Sequence, residues 1–161
     1  MDIEQKGKVV AKIVSIVSMV QAPIPGRRVF VEIFNKKENK TFCSMIIGKG
    51  RKNDGFDFKR KAIEWLKANT DALVSAESDD AFIKNVGAIS GRNYIVSVSG
   101  GFPKDNLALA IILLAEVENE PVDLVNRDAY IEKAQCKNEF NALFNYLSPN
   151  FNYDFLNVMT D

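Results

Sequence analysis

The sequence predicts an α+β domain: a single antiparallel sheet of about five strands with flanking helices. Three observations predict it. Two pairs of strand-type segments are each joined by a polar turn, and helix-period segments stand between and after these hairpins. Residues 107–115 are apolar on nearly every face, which marks a buried helix. The chain has 161 residues, 47% of them apolar, so it forms one domain over 1–161 with a core that needs no disulfide framework.

Residues 9–20 read VVAKIVSIVSMV, with Val9, Val10, Ile13, Val14, Ile16, Val17 and Val20 at intervals of three and four. That spacing predicts a helix, although the β-branched composition favours a strand. Pro23, Pro25 and Gly26 stop it. Val29, Val31 and Ile33 then alternate with Phe30, Glu32 and Phe34, and residues 41–47 return across a polar loop to complete a hairpin. Gly48, Gly50, Asn53, Asp54 and Gly55 form a loop carrying Lys49, Arg51 and Lys52.

Helical period returns over residues 56–69, with Phe58, Ala62, Trp65 and Leu66 on the inner face and Lys59, Arg60, Lys61 and Lys67 on the others. A short helix is expected over 79–84. Residues 86–89 and 94–98 flank the turn Ser90-Gly91-Arg92-Asn93 as a second hairpin. Ser99, Gly100 and Gly101 close a strand, Pro103 suits a first helical turn, and Asp105 places negative charge near the helix N-terminus. Glu120 and Pro121 end that helix, and one more helix is expected over 127–147. The aromatic residues of 151–159 are expected to dock on the domain or on a second subunit.

Composition removes several functions. There is no histidine, so the chain supplies no Ser-His-Asp or Cys-His nucleophile and no His-ligated zinc or haem. Any nucleophile needs lysine or a carboxylate as its base. Cys43 and Cys136 show no CxxC spacing and read as reduced core residues. With 21 Lys+Arg against 21 Asp+Glu the chain lacks the basic excess of a nucleic-acid binder. The apolar run 9–20 is too short to span a bilayer, and Asp2 and Glu4 are wrong for a signal peptide's basic start. No membrane partner is expected, and the expected location is cytoplasmic.

The turn from Ser99 to Asp105 reads as an anion cradle, because glycines leave N–H groups uncovered where a helix begins. Lys59, Arg60 or Lys61 would add a charge-assisted contact if that helix roofed the same pocket. The bland alternative is a tight corner and a solvated lysine face. Asp54 with Asp57, and Asp79 with Asp80, read as loop and capping residues, and Trp65 as a core anchor.

The segments VFVEIFN, TFCSMIIGKG, NDGFDFKRKAIEWL and AISGRNYIVSVSGGFPKDNLALAIILLAEVE, in that order, resemble the GlcG/HbpS-like haem-degrading family, in particular its small cytosolic branch. The likeness covers about residues 27–118 and leaves a C-terminal helical extension over 121–161. It implies a profilin- or PAS-like layering, homo-oligomers, and a haem-like or other anionic planar ligand. Asn53, Asp54, Lys59, Arg60 and Lys61 match the family's basic helix start, and Ser99, Gly100, Gly101 and Asp105 its Ser-Gly and acidic positions. Where the branch often has Asp-His, this chain reads Asp105-Asn106. Cys43, Met19 and Met45 remain as sulfur ligands for haem iron, each inside an apolar run that favours core packing.

Two functions follow, and an enzyme whose base is lysine or a carboxylate is the third and weakest. One is a non-enzymatic module binding a small anionic ligand at the residues just named, with no catalytic group. The other is an assembly or protein-interaction module that uses the apolar extension.

Overall fold

The computed structural model describes residues 1–21, 28–48 and 55–151, with residues 55–58 as backbone alone. Helix α1 (Ile3–Gln21) begins on a reciprocal cap: the Gln5 amide donates to Asp2 Oδ1 at 2.8 Å and the Asp2 amide to Gln5 Oε1 at 3.1 Å. Ile13, Ile16 and Val17 are buried. Their three-four spacing prevails over β-branched composition because it gives the helix one apolar face to lay on a sheet.

Strands β1 (Val29–Asn35), β2 (Lys40–Ile47), β3 (Gly87–Ser90) and β4 (Tyr94–Ser99) form one open antiparallel sheet in the order β2-β1-β4-β3. The hairpins join where β1 runs beside β4, with Phe30 opposite Ser99 and Asn35 opposite Tyr94. Among the described residues the sheet has four strands where about five were expected. Beside β3 a single bridge, Val74 to Ile89, stands where a fifth would run. The chain turns away at once because Ser75 opens a 3-10 turn (Ser75–Glu77), its hydroxyl donating to the Val86 carbonyl and accepting from the Ala88 amide.

Alternation along the strands divides the interior in two. Val29, Val31, Ile33, Ile89, Val96 and Val98 face α1 and α4 (Pro103–Glu118) in the larger core. Phe34, Ala88 and Ile95 face α2 (Gly55–Ala68), where Ala62, Ile63 and Leu66 cover them and Trp65 packs half-buried at the side. Helices therefore cover both sides of the sheet. Helix α3 (Ala81–Lys84) starts on Asp80, whose Oδ1 accepts from the Phe82 and Ile83 amides at 2.8 and 3.3 Å.

Every residue from Asn106 to Ala115 in α4 is buried, and Asn119 ends the helix at φ 56°. The single helix expected over 127–147 is two, α5 (Arg127–Ala134) and α6 (Lys137–Phe151). Gln135 adopts φ 53°, and the Cys136 amide turns back to the Ile131 carbonyl at 3.3 Å. That turn lets Ile131 and Ala134 on one helix, and Phe140, Phe144 and Leu147 on the other, reach the same core. Of the apolar side chains named for the C-terminal extension, Tyr130, Ile131, Ala134, Phe144 and Leu147 are thus buried in their own chain, and Leu143 is half-buried. The expected docking of the terminal aromatics falls on residues 152–161, outside the described residues.

Candidate functional site

The structure divides the expected site residues between two places. Lys59, Arg60 and Lys61 lie on α2, over the sheet face opposite α4. Ser99, Gly100, Gly101 and Asp105 form the corner that carries β4 into α4. The sheet separates the two groups, so among the described residues they do not roof one cavity. Asn53 and Asp54 lie outside the described residues.

The diglycine corner is closed by its own chain. Asn106, only 5% exposed, accepts from the Gly101 amide at 3.1 Å and donates through Nδ2 to the Gly101 carbonyl at 3.2 Å. One amide expected to await an anion is therefore taken by a side chain, that of Asn106, the residue after Asp105.

Beside this corner a cavity of about 280 Å³ opens between the end of α1, the start of β1, and helices α4 and α6. Val20, Val29, Leu109, Ala142 and Leu143 give it apolar walls, and Phe102 and Tyr146, 61% and 41% exposed, stand at its rim. Its charged lining residues are Asp105 and Glu139, both acidic, and no described lysine or arginine lines it. No sequence pattern announces this cavity, because four separate elements contribute to it.

A second polar cluster lies under α2. Lys59 is fully buried, although the sequence pattern placed it outward. Its Nζ donates to Ser44 Oγ at 3.1 Å and stands 3.9 Å from Glu32 Oε1, which also accepts from Arg60 Nε at 3.2 Å. The Ser97 hydroxyl donates to the Lys59 carbonyl at 3.0 Å, fixing the helix over the sheet. Burial pushes the Lys59 ammonium below its ordinary pKa, while the Glu32 carboxylate works against that shift. Glu32 and Ser44 were missed as site residues, yet a signal existed. Glu32 interrupts a strand whose two faces are both apolar, which demands a buried partner.

The cysteines behave as core residues. Burial pushes both the Cys43 and the Cys136 thiol up to about 11 from an ordinary 9.0. Such thiols keep their protons when folded and lose them when unfolded, so their contribution to stability is complete below pH 9 and disappears as pH climbs towards 11. For Cys136 alone the loss is roughly 3 kcal/mol. Urea unfolding at pH 8, 9.5 and 11 should show that decline, and Cys136→Ala should flatten it. An equal slope in the variant would contradict the assignment.

Among the described residues the sulfur candidates for haem iron do not meet at the cavity. Cys43, Met19 and Met45 pack against the larger core, and none of them lines the cavity. Among the described residues no group of three or more cysteines and carboxylates could hold a metal ion, and no helix is long and apolar enough to cross a membrane. Comparison with protein-family models, with curated proteins and with solved structures finds no match to the chain.

Proposed function

We propose that the protein binds a small, uncharged, largely apolar ligand in the cavity between α1, α4 and α6. The observation that carries this reading is the cavity itself, about 280 Å³ with aliphatic walls and an aromatic rim. Drug-sized ligands occupy roughly 300–1,000 Å³, so the space suits a molecule of one or two rings and is small for a tetrapyrrole. The family resemblance supports a ligand-binding role, while the lining changes the expected ligand. Glu139 disfavours an anion there, and the Lys59 cluster that was to attract it faces the other side of the sheet.

Methyl NMR during titration with indole and with benzoate tests the reading. Indole should shift the methyl signals of Val20, Val29, Leu109 and Leu143 to saturation, and benzoate should leave them in place. Ala142→Trp should fill the space, keep the fold and abolish the indole shifts. Unmoved methyls, or shifts that persist in the filled variant, would refute it.

A further inference from the structure

We infer that Ser44 and Lys59 form a nucleophile–base pair on the far side of the sheet from the cavity, with Glu32 as the group that orients the base, and that the pair performs acyl transfer from small, unhindered esters. Three arrangements carry this. The Ser44 hydroxyl and the Lys59 amine are 3.1 Å apart, within reach for direct proton transfer. Glu32 Oε1, 3.9 Å from the same amine, is an ion-pair neighbour that holds the base beside the strand. Ser44 is exposed on the edge strand β2 while Lys59 is wholly enclosed, so the nucleophile meets solvent and its base does not.

A chain without histidine needs another base, and serine with lysine is a recurring substitute for the serine–histidine pair. Lysine serves only when neutral. Burial favours that form, as does the Arg60 charge, while Glu32 on β1 and Cys43 on β2 favour the charged one, and burial is the largest of these influences. From β4 the cluster receives the Ser97 hydroxyl, which bonds the Lys59 backbone.

In the reaction the Ser44 proton passes to Lys59 Nζ as the Oγ–C bond forms at the ester carbonyl. The C–O bond to the alcohol then breaks, and the departing alkoxide takes the proton from Lys59. Water hydrolyses the acyl-serine by the same proton path, so no oxidant or metal is required. Ser44 is exposed on the edge strand, so a small ester can reach its hydroxyl from solvent. This activity is independent of the cavity reading.

A fluorophosphonate probe reports it directly, because phosphonylation forms an Oγ–P bond, releases fluoride and leaves a stable mass increment on the serine. Intact mass and peptide mapping should place the label on Ser44, and Ser44→Ala should remove it. The labelling rate should rise with pH as Lys59 loses its proton below its ordinary 10.5. Lys59→Arg separates a structural role from a basic one, since arginine keeps the charge and the bonds but does not deprotonate. Labelling in that variant should fall at least about 100-fold. Label absent from Ser44, a rate in wild type that does not change with pH, or undiminished labelling in a folded Lys59→Arg protein would each overturn the inference. The wild-type pH profile decides the matter if the arginine variant does not fold.

Discussion

Gly100→Ala should lower the unfolding free energy by about 4 kcal/mol, the combined size expected for a strained backbone conformation and an overpacked contact. Gly100 has φ +108°, and a Cβ built there would lie 1.9 Å from the Arg28 carbonyl oxygen. That oxygen belongs to the backbone entering β1, so it cannot rotate away as a side-chain atom would. Moving it means parting β1 from β4 at the pair Phe30–Ser99, next to the wall that Val29 and Gly100 give the cavity. For a domain of this size the loss corresponds to a melting temperature lower by roughly 10 °C. Gly7→Ala is the control, because Gly7 lies in α1 with nothing within 4 Å of a new Cβ. The same change there should stabilise by up to about 1 kcal/mol through helix propensity alone. Calorimetry of the two variants checks the pair, and equal effects would show that the corner does not constrain the fold.

The glycine corner was legible because its cause is local. A strand ending in Ser-Gly-Gly before a proline can continue only by turning, and residues 107–115 are too apolar to lie anywhere but inside. The hairpins were legible for the same reason, since two-residue alternation and turn chemistry are written in adjacent positions. Lys59 shows where such reading fails. Positions 59, 62, 63 and 66 lie on one helical face, and three of them are Ala62, Ile63 and Leu66, all buried. Assigning that face through Phe58 and Trp65 instead moved the stripe by one position and turned Lys59 outward. A lysine at a core position departs from the binary pattern, so the pattern alone argued against its true place. Its partner Glu32 lies 27 positions earlier on another element, and only the fold brings the two together. The division of the expected site follows from the same limit: the order of elements along the chain does not say which face of the sheet each helix will cover.

Glu32→Ala should cost about 3 kcal/mol, because it takes the Glu32 carboxylate away from the enclosed Lys59 ammonium. Glu32 is 3% exposed and Lys59 fully buried, so water cannot replace what is lost. Lys59→Met should cost less, since Glu32 keeps the Arg60 guanidinium at 3.2 Å, which is itself 59% exposed. The double variant Glu32→Leu/Lys59→Met should lie within about 1 kcal/mol of the wild type, because removing both charges together avoids the desolvated survivor. The pH dependence has a definite sign. Burial holds the folded pKa of Lys59 below its unfolded 10.5, and removing Glu32 removes an influence that raises it. Between the folded and unfolded values the unfolded chain binds more protons, so the Glu32→Ala protein gains stability relative to wild type as pH rises through that window. The difference between the two proteins should therefore be largest near pH 7 and shrink towards pH 10. Chemical denaturation of all four proteins at both pH values checks these values. A double variant as unstable as Glu32→Ala would mean that Leu and Met cannot pack there and that volume, not charge, governs the site.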